Sequence, residues 1–137
     1  MKKALLLLII SSILISCKKD RTATTTERIT GRWLVEYLAD VDYENGAEKK
    51  RETYPGQGQF CDFRSDGTAT VNLDGEQLEV RWTATDTKLT FSVPDRNSVD
   101  FVIRSSTGNT LILEANENIE VQGNVTYRSV VEIKMTK

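Results

Sequence analysis

Twenty carboxylates, two cysteines and no histidine bound the chemistry open to this chain of 137 residues. Histidine is the side chain that exchanges protons near neutrality and a principal zinc ligand. Its absence removes the commonest general base and every histidine-based triad. The carboxylate pairs Asp62 and Asp66, and Glu76 and Glu79, have the residue type that glycoside chemistry uses. They fall on the wet faces of alternating runs or in turns, and no enzyme activity is expected of them. Asp40, Asp42, Glu44, Asn45 and Gly46 space oxygens as a calcium loop does. Counted from Asp40, however, the sixth position, which such a loop gives to glycine, is Asn45. No metal site and no cofactor is therefore expected. A thiolate mechanism at Cys61 has no histidine to activate it. Cys61 shares a face with Phe63 in the run Cys61-Asp62-Phe63-Arg64, which predicts a buried thiol.

The other cysteine stands in a different setting. Lys2 and Lys3 precede an apolar run from Ala4 to Ile15. That run has the length of a signal-peptide core and falls well short of the roughly 20 residues that span a membrane. Leu14-Ile15-Ser16-Cys17 resembles the lipobox of bacterial lipoproteins. The resemblance implies that the Cys17 thiol takes a diacylglyceryl group, that residues 1–16 are cut away, and that the new amine is acylated with a palmitate-type chain. Three acyl chains exceed the two signals that stable anchoring needs, at about 0.8 kcal/mol per buried CH₂. The expected location is the cell envelope, held by lipid at the outer membrane and facing the periplasm or the surface. Lys18 stands where an aspartate favours inner-membrane retention in some bacteria. Lys18-Lys19-Asp20 also resembles, loosely, the charged export tags of surface lipoproteins in Bacteroidota-like organisms.

Loss of residues 1–16 takes Lys2 and Lys3 from the 18 basic residues, leaving 16 against 20 acidic ones, a net charge of −4. A mildly acidic chain without a basic stripe disfavours nucleic acid as a partner. The remaining 121 residues suit one domain with one core. With Cys17 spent on lipid, Cys61 has no partner in the chain and no disulfide framework follows. Residues 17–30 are polar and rich in threonine, and read as a flexible tether to a domain over 31–137.

From Gly31 onward the apolar residues recur at every second position. Trp33, Val35 and Tyr37 make one such run. Others are Ala69 to Leu73, Leu78 to Ala84, Leu89 to Val93, Val99 to Ile103 and Leu111 to Ala115. Alternation of this kind predicts antiparallel strands with one buried and one wet face. Asp66-Gly67 and Asp74-Gly75 are hairpin signals, and Thr85 to Thr87, Pro94 to Asn97 and Thr107 to Asn109 are short polar turns. A chain of hairpins is a meander, and it buries one continuous face most simply by curling into an up-and-down barrel. The predicted fold is all-β, a barrel of roughly eight strands, with a β-sandwich as the alternative. Ala39 to Gln59 is expected to be a strand end followed by a long mobile loop over one mouth.

Gly31-Arg32-Trp33 is similar to the Gly-x-Trp signature of lipocalins, whose tryptophan packs across the closed end of the barrel. Phe63-Arg64-Ser65-Asp66-Gly67-Thr68, Trp82 and Leu89-Thr90-Phe91 resemble the lipocalin-like domains of small bacterial lipoproteins. Arg128 is the candidate for the arginine that stacks on the tryptophan in that family, although its parity puts it outside. The resemblance implies a small apolar ligand in the barrel interior. The residues expected to line that interior are Trp33, Val35, Tyr37, Phe63, Val71, Trp82, Phe91, Phe101, Leu113 and Tyr127. A barrel of this size either fills with side chains or holds one small ligand, with Ala69 and Ala84 as the positions that would leave space. The other expectation is an envelope protein as partner. The barrel would then be filled, and docking would use Leu34 and Leu38 or the Tyr43 to Tyr54 loop.

Overall fold

A computed structural model describes residues 22–137. The signal segment, Cys17 and the first part of the tether lie outside the described residues. The chain forms α1 (Thr25–Ile29), β1 (Gly31–Glu44), β2 (Ala47–Pro55), β3 (Phe60–Phe63), β4 (Thr68–Asn72), β5 (Leu78–Ala84), β6 (Lys88–Ser92), β7 (Val99–Ser106), β8 (Thr110–Gln122) and β9 (Val125–Thr136). All pairings are antiparallel. Strands β3 to β9 follow in sequence order, and β1 joins β3 to β9, which closes a barrel of eight strands with β2 as a ninth outside the ring.

Strand β1 serves two neighbours along one edge. Gly31–Leu34 pairs with β3, whereas Tyr37–Glu44 pairs with β2. Its other edge runs against β9 from Leu34 to Glu44. The second half of β1 therefore projects past the ring with β2, β8 and β9, as a four-stranded extension in the order β2-β1-β9-β8. The expected mobile loop is thus corrected to a hairpin. Asn45 and Gly46 both take positive φ, 50° and 80°, the type I′ geometry that an Asn-Gly pair favours between twisted strands.

A short helix closes one end of the barrel. Thr24 caps α1 by accepting from the Glu27 backbone N–H at 3.2 Å, while the Glu27 carboxylate accepts from the Thr24 N–H at 2.7 Å. This reciprocal box satisfies two of the orphan donors that any helix start leaves. The tether boundary at residue 30 is corrected accordingly, since α1 belongs to the domain. Ile29 is wholly buried, and α1 reaches β5 and β7, on the side of the ring opposite β1. Trp33 Nε1 donates to the Ile29 carbonyl at 2.6 Å, and Thr25 Oγ1 donates to Asp86 in the β5–β6 turn at 2.5 Å. Lys137 lies over the Trp33 ring at 4.5 Å and donates to the carbonyls of Arg28 and Thr30. The cation over the tryptophan at this end is therefore Lys137. Arg128 points outward and sits over Tyr43 at 4.5 Å.

Candidate functional site

Eight of the ten residues predicted inside the barrel share a single core cluster: Trp33, Val35, Phe63, Val71, Trp82, Phe91, Phe101 and Leu113. Phe63 meets Trp82 edge-on at 5.1 Å between centroids and Phe91 at 5.9 Å, and Phe91 meets Phe101 at 5.2 Å. Edge-to-face and offset contacts at these distances are how aromatic rings fill volume. Ala69, expected beside a void, is fully buried within the same cluster. The half of the barrel next to α1 is thus packed with side chains.

Tyr37 and Tyr127 correct the interior set. The register of β1 against β9 shifts between Val35 and Tyr37, so Glu36 is an extra residue and the parity of β1 inverts after it. Tyr37 moves to the outer face, where its hydroxyl donates to Glu132 at 2.9 Å. Burial first, and then Glu132, raise its pKa above the usual phenol value. Leu38 takes the inward place and packs on the core. Leu34, before the bulge, stays outside and exposed, so the two leucines never form the shared patch expected of them. Tyr127 has inward parity but lies past the ring on the extension, where it is exposed.

The opposite end of the barrel is open and apolar. Leu38, Leu73, Val93, Ala115 and Val131 are half-buried against the core. Around them, on the same inward parity, stand Leu78 at 39% exposure, Val99 at 47% and Tyr54 at 47%; their cross-strand partners are Val71, Phe91 and Leu38. A depression of about 290 Å³ opens here between Val71, Leu73 and Leu78 and the polar residues Asp74, Glu76, Gln77 and Arg96. Such a volume sits near the lower end for small-ligand sites. The guanidinium of Arg96 has no ion-pair partner among the described residues. The arrangement can take an apolar group against leucine and valine, with Arg96 and the carboxylates Asp74 and Glu76 at its polar end.

The outer face of the extension is organised differently. Ala39, Val41 and Val130 form a second small cluster with Tyr37 and Tyr43 against it. Long side chains close over it. Arg51 bridges Glu48 and Glu132, and the nearly inaccessible carboxylate of Glu114 receives both Arg104, at 2.7 Å, and Arg128. The hydrogen bond from Arg104, followed by that from Arg128, holds the Glu114 carboxyl below the usual glutamate range against the opposing effect of burial.

The remaining candidates have structural tasks. Cys61 is buried, and burial pushes its thiol up to about 12. Phe60 breaks the alternation because it faces outward, under the Arg32 guanidinium at 4.0 Å. Asp66 holds the β3–β4 turn by accepting from the Thr68 N–H at 2.9 Å, and Glu79 is bound by Arg64 and Thr70. Asp40, Asp42 and Glu44 run along one strand instead of encircling a point, and no group of acidic or sulfur ligands among the described residues is placed to hold a metal. Sequence reasoning missed α1, whose Thr24-x-x-Glu27 pattern ahead of Ile29 is a capping-box signal. It also missed Lys137, which carries no pattern at all. Compared with protein-family models, curated proteins and solved structures, the chain matches none.

Proposed function

We propose that this chain is a lipoprotein of the bacterial cell envelope, tethered at the outer membrane through acylated Cys17, whose lipocalin-like barrel takes a small apolar ligand at its open mouth. The observation that carries the reading is the ring of inward-parity apolar residues left exposed at that end, Leu78 and Val99 above Leu73 and Val93. A barrel sealed by its own side chains would have no reason to leave that ring unfilled. The ligand is shallow, since the rings of Phe63, Trp82, Phe91 and Phe101 occupy the volume below. The sequence around Cys17 supports the anchor, and the absence of histidine supports a binding role over a catalytic one.

The test is titration with an environment-sensitive naphthylamine fluorophore. One saturable site per chain is expected, and the double variant Leu78→Asp, Val99→Asp should weaken it about tenfold, roughly 1.4 kcal/mol. Equal binding by that variant would sink the mouth as the site. For the anchor, Cys17→Ala should leave the membrane fraction and cease to incorporate labelled palmitate; full retention in the membrane would remove the lipoprotein assignment.

A protein-interaction module is the second reading, favoured by one observation. From Asn116 onward β8 has no neighbour on its outer edge, and Ile119 and Val121 there are 58% and 66% exposed. The free edge of β2, in contrast, is blunted by Lys49, Lys50 and Arg51, as edges usually are. Ile119→Lys with Val121→Lys should strip any such partner from protein taken from its own membrane. An unchanged set of co-purifying proteins rejects the reading.

A further inference from the structure

The face of the extension that continues the barrel interior changes character row by row. Across the four strands, the first row is Tyr54, Leu38, Ile133 and Leu113, and the second is Glu52, Asp40, Val131 and Ala115. The third is Lys50, Asp42, Ser129 and Asn118, and the fourth is Ala47, Glu44, Tyr127 and Glu120. Over the last two rows lies a depression of about 430 Å³, open to solvent, within the usual range for small-molecule sites.

Two register shifts build this floor. The first falls between Asp42 and Tyr43 against β2, with Lys49 as the extra residue; the second falls between Asn116 and Asn118, with Glu117 extra. Without the second, Glu117, Ile119 and Val121 would face the cavity in place of Asn118, Glu120 and Gln122. Without the first, Glu48 would stand opposite Glu44. Bulges recur where a strand must re-aim its side chains at a site.

The lining favours one ligand chemistry. Asp42, Glu44 and Glu120 share the cavity with Lys49 and Lys50, which are already paired with Glu44 and Glu52, while Arg128 reaches its rim from the outer face and is held by Glu114. With every cation already paired, phosphate is disfavoured. Donors and acceptors are interleaved at side-chain spacing, and several are already oriented. Ser129 Oγ donates to Asp42 at 2.6 Å, and Gln122 Nε2 donates to Glu120 at 2.8 Å, leaving the second oxygen of each carboxylate to accept. The Asn118 amide and the Tyr127 hydroxyl have no partner among the described residues, and the Tyr127 ring is 39% exposed. A hydroxyl both donates and accepts, so a polyol needs such a mixture, and the C–H face of a sugar ring lies well on an open aromatic ring. We infer that this face of the extension is a binding site for a neutral saccharide, with Tyr127 as platform and Asp42, Asn118 and Glu120 as hydroxyl partners.

The experiment is an NMR titration of the full chain in a detergent without a sugar head group. The probes are maltotetraose, cellotetraose, xylotetraose, mannotetraose and chitotetraose, with inorganic phosphate and spermidine as charged controls. At least one tetraose should shift the amides of Asp42, Asn118, Tyr127 and Ser129 saturably. Tyr127→Ala should weaken it about tenfold, Tyr127→Phe should retain most of it, and the mouth variant Leu78→Asp, Val99→Asp should bind as the parent does. Unchanged melting temperatures establish that the variants are folded. Failure of all five sugars to saturate, stronger binding of phosphate or spermidine, or indifference to Tyr127→Ala overturns the inference.

Discussion

Glu114 is where a single side chain carries the most consequence outside the core. It sits on a β8 position whose parity is outward, yet only 2% of it is accessible, because Arg104 from β7 and Arg128 from β9 converge on it and cover it. A carboxyl whose folded-state pKa is depressed stabilises the fold above its unfolded value, about 4.3, and that contribution is lost as pH falls through the lower folded value. Glu114→Gln should therefore cost about 2 kcal/mol at neutral pH, within the range for hydrogen bonds to charged groups. The gap to the parent should close below about pH 4. Urea melts of both proteins across pH check this, and a gap that widened on acidification would contradict the assignment. Cys61 is the opposite case, a group made inert by its surroundings. With the thiol pushed up to about 12 by burial, an aromatic disulfide reagent at mildly alkaline pH should react only as fast as the domain opens. In a Cys17→Ala background, where Cys61 is the one thiol, denaturant should release it at once. Prompt labelling of that native protein would mean that Cys61 is accessible.

At the scale of elements, the strands were legible in the sequence and their registers were not. Period two located the strand cores, and Asp66-Gly67 and Asp74-Gly75 located their hairpins, because both signals are local. A bulge has no such signature. Glu36 looks like any wet strand residue, so extrapolating the parity of Trp33 and Val35 put Tyr37 inside and misassigned Leu38. Tyr127 was misplaced for a related reason: parity gives the face of a strand but not its distance along the barrel axis. Asn45-Gly46 does carry the turn signal of the β1–β2 hairpin, but the carboxylates beside it space like a calcium loop, and the two patterns share the same residues. What fixes the Glu36 bulge is a tertiary contact, Gly56. Its N–H donates to the Glu36 carbonyl at 2.8 Å, and a Cβ built on it would stand 1.9 Å from the Val35 carbonyl oxygen. That obstacle is backbone and cannot turn aside. Gly56→Ala should cost about 2–3 kcal/mol by overpacking, read as a lowered denaturation midpoint. Gly58→Ala is the paired control. Its Cβ meets nothing within 4 Å, and only its positive φ of 85° resists the change, so a smaller loss is expected.

On the scale of the whole molecule, the two ends of the barrel differ in how their inward positions are covered. Next to α1, every inward position is filled and the closing contacts come from chain segments far apart in sequence: Ile29, Trp33, Asp86 and Lys137. That end could not be read from local pattern, since it exists only once the ring has closed. The other end spreads into the extension, where bulges turn side chains toward solvent. If α1 is the plug of a closed base, its loss must loosen the entire barrel and not only the N-terminus. Ile29→Ala should cost about 2–4 kcal/mol, as a buried large-to-small change does, and the loss should appear as one cooperative transition. Deletion of residues 22–30 should cost more than that substitution, because it removes the acceptor of Trp33 Nε1 and leaves a buried donor unpaired. Equilibrium urea unfolding followed by tryptophan fluorescence reports on both, since Trp33 Nε1 donates to α1 itself and Trp82 Nε1 donates to Arg64 and Thr68 within the ring. Coincident transitions of the two tryptophans, each read in a Trp→Phe background of the other, would tie the plug to the barrel. A Trp33 signal that melted early, with Trp82 unmoved, would make α1 an appendage to a barrel that stands without it.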